Sequence, residues 1–254
     1  MNNEFFKGVK QWELERNGEK GKIPVFYYDV TSLNAVYTAC SLSVRKLLPL
    51  PDMHPVEFSY GRCLVAITAF EYRETDIGPY NEVSVAFPIT FKRPQIPFLT
   101  ALFKMLRHHM TAYVWQLPVT TEIARRGGVE MYGYPKFLAD IVIEKDKQWI
   151  SCDLKENGQD IFQLKGKVLP TQTGKTIRCS TYSVCDGIPL KANVFINPVA
   201  FAETRNKNVT SLTLGVHPIA QALKTIQLSA EPVVYQYMAQ NQAILFAGHN
   251  LMDS

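Results

Sequence analysis

Residues 120–144 read TTEIARRGGVEMYGYPKFLADIVIE, and the block Gly127-Gly128-Val129-Glu130-Met131-Tyr132-Gly133-Tyr134-Pro135-Lys136 within them organises the reading of the whole chain. Pro135 fixes its own φ and biases Tyr134 toward extended backbone, so the chain enters Lys136 already stiff. Thr120 or Thr121 is placed to cap a short helix that the glycine pair would close. Beyond the lysine, Phe137, Leu138, Ile141 and Val142 read as the opening of a buried strand over 137–144. That puts the stem of Lys136 at the edge of a core.

A lysine in that position has two roles open to it. In the first it snorkels, with its stem packed and its head in water. In the second the amine sits in apolar surroundings, which disfavour an ammonium, and the neutral amine is a nucleophile toward ketones. The residues around it decide between them.

The block resembles the acetoacetate decarboxylase family, whose members carry a loop of the form Gly-Arg-Glu, an aromatic, then Pro-Lys-Lys. Lysine activation by burial or by a neighbouring cation in acetoacetate decarboxylase is a known example of nucleophile tuning. The resemblance implies that Lys136 is a Schiff-base lysine and that Glu130 is the loop glutamate. Upstream, Gly78-Pro79-Tyr80-Asn81-Glu82-Val83 is similar to the segment that supplies the family's active-site glutamate, which makes Glu82 a second catalytic candidate. Residues 34–37 and 44–49 resemble the family's first strand and helix, so the similarity covers 25–145 in order. Two positions depart from the pattern: Phe137 stands where a second lysine is the rule, and Val129 where an arginine is. Val30 and Ile67 fall near two further charged positions of the family pocket and are apolar.

The family implies an α+β fold, mainly antiparallel β, with an acetoacetate-decarboxylase-like barrel or cone and a few peripheral helices. It implies a Schiff-base-forming lyase that decarboxylates a small β-keto acid. The same imine is an electron sink for aldol chemistry or dehydration of an oxo acid, and a barrel that has lost the chemistry would bind a small apolar ligand. Catalytic candidates are Lys136, Glu82 and Glu130, the last equally suited to accept from backbone donors of the glycine loop. Tyr132, Tyr134, Phe137 and Arg126 are candidates for contacting substrate. Each has a plainer alternative, the tyrosines as packed rings and Arg125 and Arg126 as a solvated helix end. No cofactor is implied, the partner is a small oxo acid or ketone, and a homo-oligomer is expected.

Composition agrees with one enzyme-sized unit. At 254 residues, 46% hydrophobic and 20% charged, the chain buries a large core without staples. A polar N-terminal arm is expected over 1–22 and a single domain over 23–254. The net charge of +4 is dispersed, with no cationic run interleaved with aromatics as a nucleic-acid surface would need. Five cysteines, odd in number and without CxxC spacing, read as reduced thiols of a cytoplasmic protein, and the scattered histidines give no metal-ligand spacing. No apolar run of signal-peptide or membrane-spanning length is present, so no membrane is implied.

Alternating apolar residues predict strands over 23–28, 34–40, 61–73, 83–91, 113–119, 149–155, 160–168, 178–184, 209–214 and 231–247. Ser41 reads as the N-cap of a short helix, Asn157-Gly158 as a hairpin turn, and 217–228 as a helix with Ile219, Leu223 and Ile226 inward. Residues 97–110 carry apolar side chains at helical spacing and read as an inserted amphipathic helix, a packing element or a lid.

Overall fold

The computed structural model describes residues 3–16, 19–92, 96, 99–100 and 109–252. The helix expected over 97–110 lies largely outside them. Its last two residues, His109 and Met110, begin a strand.

The strands form in chain order as β1 (Trp12–Arg16), β2 (Glu19–Ile23), β3 (Val25–Cys40), β4 (Met53–Pro55), β5 (Glu57–Ser59), β6 (Arg62–Thr75), β7 (Tyr80–Phe91) and β8 (His109–Gln116). They continue as β9 (Asp140–Lys145), β10 (Trp149–Glu156), β11 (Gln159–Lys167), β12 (Ile177–Cys185), β13 (Ile188–Thr204), β14 (Thr210–Leu214), β15 (Val234–Leu245) and β16 (His249–Asn250). Three α-helices lie wholly among the described residues, α1 (Ser41–Arg45), α2 (Glu122–Tyr132) and α3 (Pro218–Thr225), and Leu99 and Thr100 are helical as well.

The large sheet closes on itself. Strands β7, β8, β12, β13, β15, β3 and β6 pair in that order, and β6 pairs back to β7, giving a seven-stranded barrel. Every joint is antiparallel except β8 with β12. Closure removes the unpaired edges that an open sheet of this size would present. A second antiparallel sheet, in the order β14-β11-β10-β9, covers one side. The expected mainly antiparallel β architecture, barrel and few helices is the one found.

Two main cores result from this arrangement. In the first, Leu33, Ala35 and Tyr37 of β3, Val65 and Ile67 of β6 and Val83 to Ile89 of β7 meet Ile150, Leu154, Ile161 and Leu164 of the second sheet. The second core gathers at the opposite end of the same strands, around Tyr27, Val30, Tyr72, Tyr80, Tyr132 and Tyr134. Val30 and Ile67 are thus both buried, one in each core.

Several local expectations need correction. Ile23 ends β2, and residues 25–28 and 34–40 belong to one 16-residue strand, β3, which crosses the polar stretch by register shifts near Asp29. Arg73 on the neighbouring strand meets that carboxylate at 2.6 Å. Cys40, not Ser41, occupies the N-cap position of α1. Strand β13 has no counterpart in the sequence reading: Pro189, Pro198 and shifts of register near Ala200 break the alternation that would reveal it. Its lead-in, Asp186-Gly187, has φ of +50° and +79°, the same turn geometry that Asn157-Gly158 adopts between β10 and β11. On the strand expected over 137–144, the second sheet is joined only from Asp140, Leu138 bridging Val119 instead, and Leu138 and Val142 are 48% and 52% exposed while Ile141 is buried.

Candidate active site

Helix α2 does not end at the glycine pair. It runs through Gly127 and Gly128 and stops at Gly133, whose φ of +59° is the left-handed cap that glycine favours. Tyr134 N–H donates back to the Gly128 carbonyl at 3.1 Å and Gly133 N–H to that of Val129 at 3.0 Å, which closes the helix end. Thr121 takes the N-cap position without a side-chain cap bond. The reason for a glycine at position 128 inside the helix is visible there: a Cβ would stand 2.3 Å from Cδ of Lys136.

After the cap the chain turns tightly about Pro135, with Lys136 N–H donating to the Tyr134 carbonyl at 2.7 Å. It then lies along the segment that follows β8. Leu117 N–H donates to the Pro135 carbonyl, Val119 N–H to that of Phe137, and Ala139 N–H to that of Val119. The buried Val119 also bridges to Glu82 of β7 and to Leu138, so backbone pairing fixes the segment that carries Lys136 relative to Glu82.

Lys136 and Glu82, 54 positions apart, meet as an ion pair. Nζ donates to Oε2 of Glu82 at 2.6 Å, and the two side chains are 7% and 8% exposed. The other carboxylate oxygen, Oε1, accepts from the Tyr72 hydroxyl at 3.2 Å. Tyr80 lies two residues before Glu82 on the same face of β7 and opposite Tyr72 on β6. Its ring centroid is 4.6 Å from that of Tyr72 and 5.7 Å from Nζ of Lys136. Burial, and after it the Glu82 carboxylate, push the phenols of Tyr27, Tyr72 and Tyr80 well above their ordinary range. They remain protonated, so Tyr72 is a donor to Glu82 at any physiological pH.

A cavity of about 110 Å³ opens onto the lysine of this pair. Lys136, Tyr27, Tyr132 and Tyr134 line it together with the apolar Val25, Ile77, Met131 and Leu245. Tyr132 and Tyr134 stack with centroids 5.3 Å apart. The Tyr134 hydroxyl shares a 2.6 Å hydrogen bond with Thr181 of β12, whereas the buried Tyr132 hydroxyl has no partner among the described residues. Burial pushes the Tyr132 phenol up as well.

The other sequence candidates fall elsewhere. Glu130 is exposed on α2 at the rim of the cavity. Arg126 also borders it, but its Nε is 2.8 Å from Glu122, which Arg125 holds as well at 2.6 Å. Phe137 is not among the lining residues and packs instead against the first core, because neighbouring side chains of extended backbone point opposite ways. Tyr27, Tyr72 and the end of the β1–β2 hairpin, Gly21 to Ile23, had no place among the candidates and border the site or hold its carboxylate. The spacing Tyr80-Asn81-Glu82 on a strand carried a signal for the first tier of this environment; the register that brings Tyr72 opposite had none.

Comparison with known proteins agrees with the architecture. No curated protein matches the chain by sequence. By structure it is similar to the acetoacetate decarboxylase of Legionella pneumophila subsp. pneumophila str. Philadelphia 1, at 15% identity and a TM-score of 0.65 over 98% of this chain and 94% of that one. It is similar to the enduracididine biosynthesis enzyme MppR, solved with the condensation product of pyruvate and imidazole 4-carboxaldehyde, at 10% identity and a TM-score of 0.68 over 96% and 98% of the two chains. An acetoacetate decarboxylase-like enzyme from Sphingomonas wittichii RW1 matches at 13% identity and a TM-score of 0.57 over 94% and 97%. At these identities the likeness is one of fold. The acetoacetate decarboxylase family model, in contrast, matches the sequence itself over residues 14–182, and the chain belongs to that family.

Proposed function

We propose that the protein is a Schiff-base-forming lyase that decarboxylates a small β-keto acid through Lys136. The observation that carries this reading is the buried pair of Lys136 and Glu82, whose lysine lines a mostly apolar cavity. An ammonium cannot attack a carbonyl, and Glu82, at 2.6 Å from Nζ, is within reach to take the proton that frees the amine. The amine adds to the ketone carbon of the substrate, the carbinolamine hydroxyl takes up a proton from solvent and leaves as water, and a protonated imine forms. The electrons of the bond to the carboxylate then flow toward the iminium nitrogen, CO2 leaves, and an enamine remains. Glu82 returns its proton to the enamine carbon, and water releases the product ketone and the lysine.

The surroundings fit that sequence. Tyr72 orients Glu82 through Oε1 and leaves Oε2 to face the lysine. The buried hydroxyl of Tyr132, without a partner among the described residues, is a donor for a substrate oxygen. A cavity of about 110 Å³ is smaller than the roughly 150 Å³ that accommodates benzene, which favours substrates of a few heavy atoms. Glu130 and Arg126, at the rim, act in this reading on entry or on charge at the cavity mouth and not on the reacting atoms. Aldol bond making or dehydration would share the same imine, with Glu82 removing a proton beside it.

Borohydride reduction in the presence of acetone tests the shared step. The expected result is a reduced isopropyl adduct on Lys136 and none on Lys136→Ala. Absence of the adduct in the native chain overturns the lyase reading and leaves a barrel that binds a small apolar ligand. Release of CO2 from a panel of small β-keto acids then separates decarboxylation from the aldol and dehydration alternatives.

A further inference from the structure

We propose that Gly128 is a positioning residue: the missing side chain is a notch in helix α2 that seats the stem of Lys136 and thereby aims its amine at Glu82. The proposal rests on the reading of Lys136 as the nucleophile. Its evidence is steric. A Cβ built on Gly128 would lie 2.3 Å from Cδ, 2.4 Å from Cε and 3.2 Å from Cγ of Lys136, so the stem lies directly on the helix backbone at this one point. Gly127, the adjoining residue, has nothing within 4 Å of its own Cβ position. The two glycines therefore differ in purpose, although they are neighbours on one helix.

The helix is poorly placed to yield. Ala124 and Tyr132 bury the same element, and the Gly128 carbonyl accepts from Tyr134 in the helix cap. Ser183 of β12 donates to the carbonyl of Tyr132 and ties the last turn to the barrel wall. Lys136 is the flexible partner. With a methyl group at 128 its Cδ and Cε must swing away, and because the amine sits only one bond beyond Cε, Nζ leaves Glu82. The consequence is specific: the fold accommodates alanine at 128 by moving the lysine, and the chemistry suffers for it.

The test is the Gly128→Ala chain, with Gly127→Ala beside it, examined in three ways. Acylation of Lys136 by acetic anhydride, followed by peptide mass spectrometry, reports the amine without requiring any imine chemistry. Lys136 in Gly128→Ala is expected to react severalfold faster than in the native chain, and in Gly127→Ala at the native rate. Trapping of acetone on Lys136 by borohydride is expected to fall about 100-fold in Gly128→Ala, the cost of a misplacement on the order of 1 Å. Native-rate acylation in Gly128→Ala overturns the proposal, as does faster acylation with undiminished trapping. If the native chain itself traps nothing, the lyase reading fails while the acylation comparison still decides the role of Gly128. Thermal melting closes the remaining gap: any loss of stability in Gly128→Ala should disappear when the comparison is repeated in a Lys136→Ala background. A loss that persists there places the clash in the backbone and overturns the proposal.

Discussion

The Lys136–Glu82 pair is both the chemistry of the site and a stability problem. Two charges removed from water are held by each other and by the Tyr72 hydroxyl, so removing one strands the other. Lys136→Ala should therefore abolish turnover and also cost about 3 kcal/mol of stability, most of which returns when Glu82→Gln is added. Urea midpoints of the two single variants and the double variant measure this; additive losses would show that the pair is not coupled. Glu82→Gln alone should slow turnover by about 100-fold, the usual contribution of a positioned acid or base. Tyr72→Phe removes a neutral donor to a carboxylate, and turnover should fall roughly tenfold, in line with about 1.5 kcal/mol for such a bond. An unchanged rate in Tyr72→Phe would return Tyr72 to a packing role.

At the scale of the element, the three glycines of helix α2 and its cap differ, and a structural reason is visible for two of them. Gly128 admits a side chain from elsewhere, Gly133 adopts φ of +59°, and Gly127 meets nothing. Gly127→Ala should raise stability by about 1 kcal/mol, the difference in helix propensity in an open position. Gly133→Ala should lower it by about 2 kcal/mol, the strain of a left-handed non-glycine residue. Its methyl would in addition stand 2.8 Å from Cβ of Cys185. Equal effects of the two substitutions would contradict this account of the helix end. The strand elements follow a simpler rule: β10 and β11 announce themselves through Asn157-Gly158 and clean alternation, whereas β13 is bent by its prolines and shared between unlike neighbours.

For the molecule as a whole, the closure of the barrel depends on joining β3 to β6 across the polar stretch near Asp29. The Arg73 guanidinium, by its hydrogen bonds to Asp29, holds that carboxyl below the ordinary value of 3.8, against the opposing effect of burial. A lowered carboxylate pKa adds stability above the unfolded value, and that contribution disappears as pH falls through the folded one. The native chain should accordingly lose stability below about pH 4, and Asp29→Asn should show a smaller difference between its urea midpoints at pH 7 and pH 3. An identical difference in both chains would remove this pair from the acid response. Among the described residues no helix is long and apolar enough to cross a membrane.

The amino-acid sequence by itself determined the strand-rich class, most strands in chain order and the Tyr-Pro-Lys approach, and through its family resemblance it singled out Lys136 and Glu82. These are local patterns: period-two alternation, turn residues with positive φ, and motifs of a few positions each. It did not determine that Gly127 and Gly128 lie inside a helix, because helix propensity alone ends it there and the compensating contact comes from a side chain eight residues further on. Nor did it show that Phe137 faces the first core while Lys136 faces the cavity, or that Tyr72 supports Glu82. Those facts depend on register between strands and on which face of an extended segment meets which layer. Register shifts by whole residues at little local cost, and only the simultaneous packing of barrel, second sheet and helix α2 selects one.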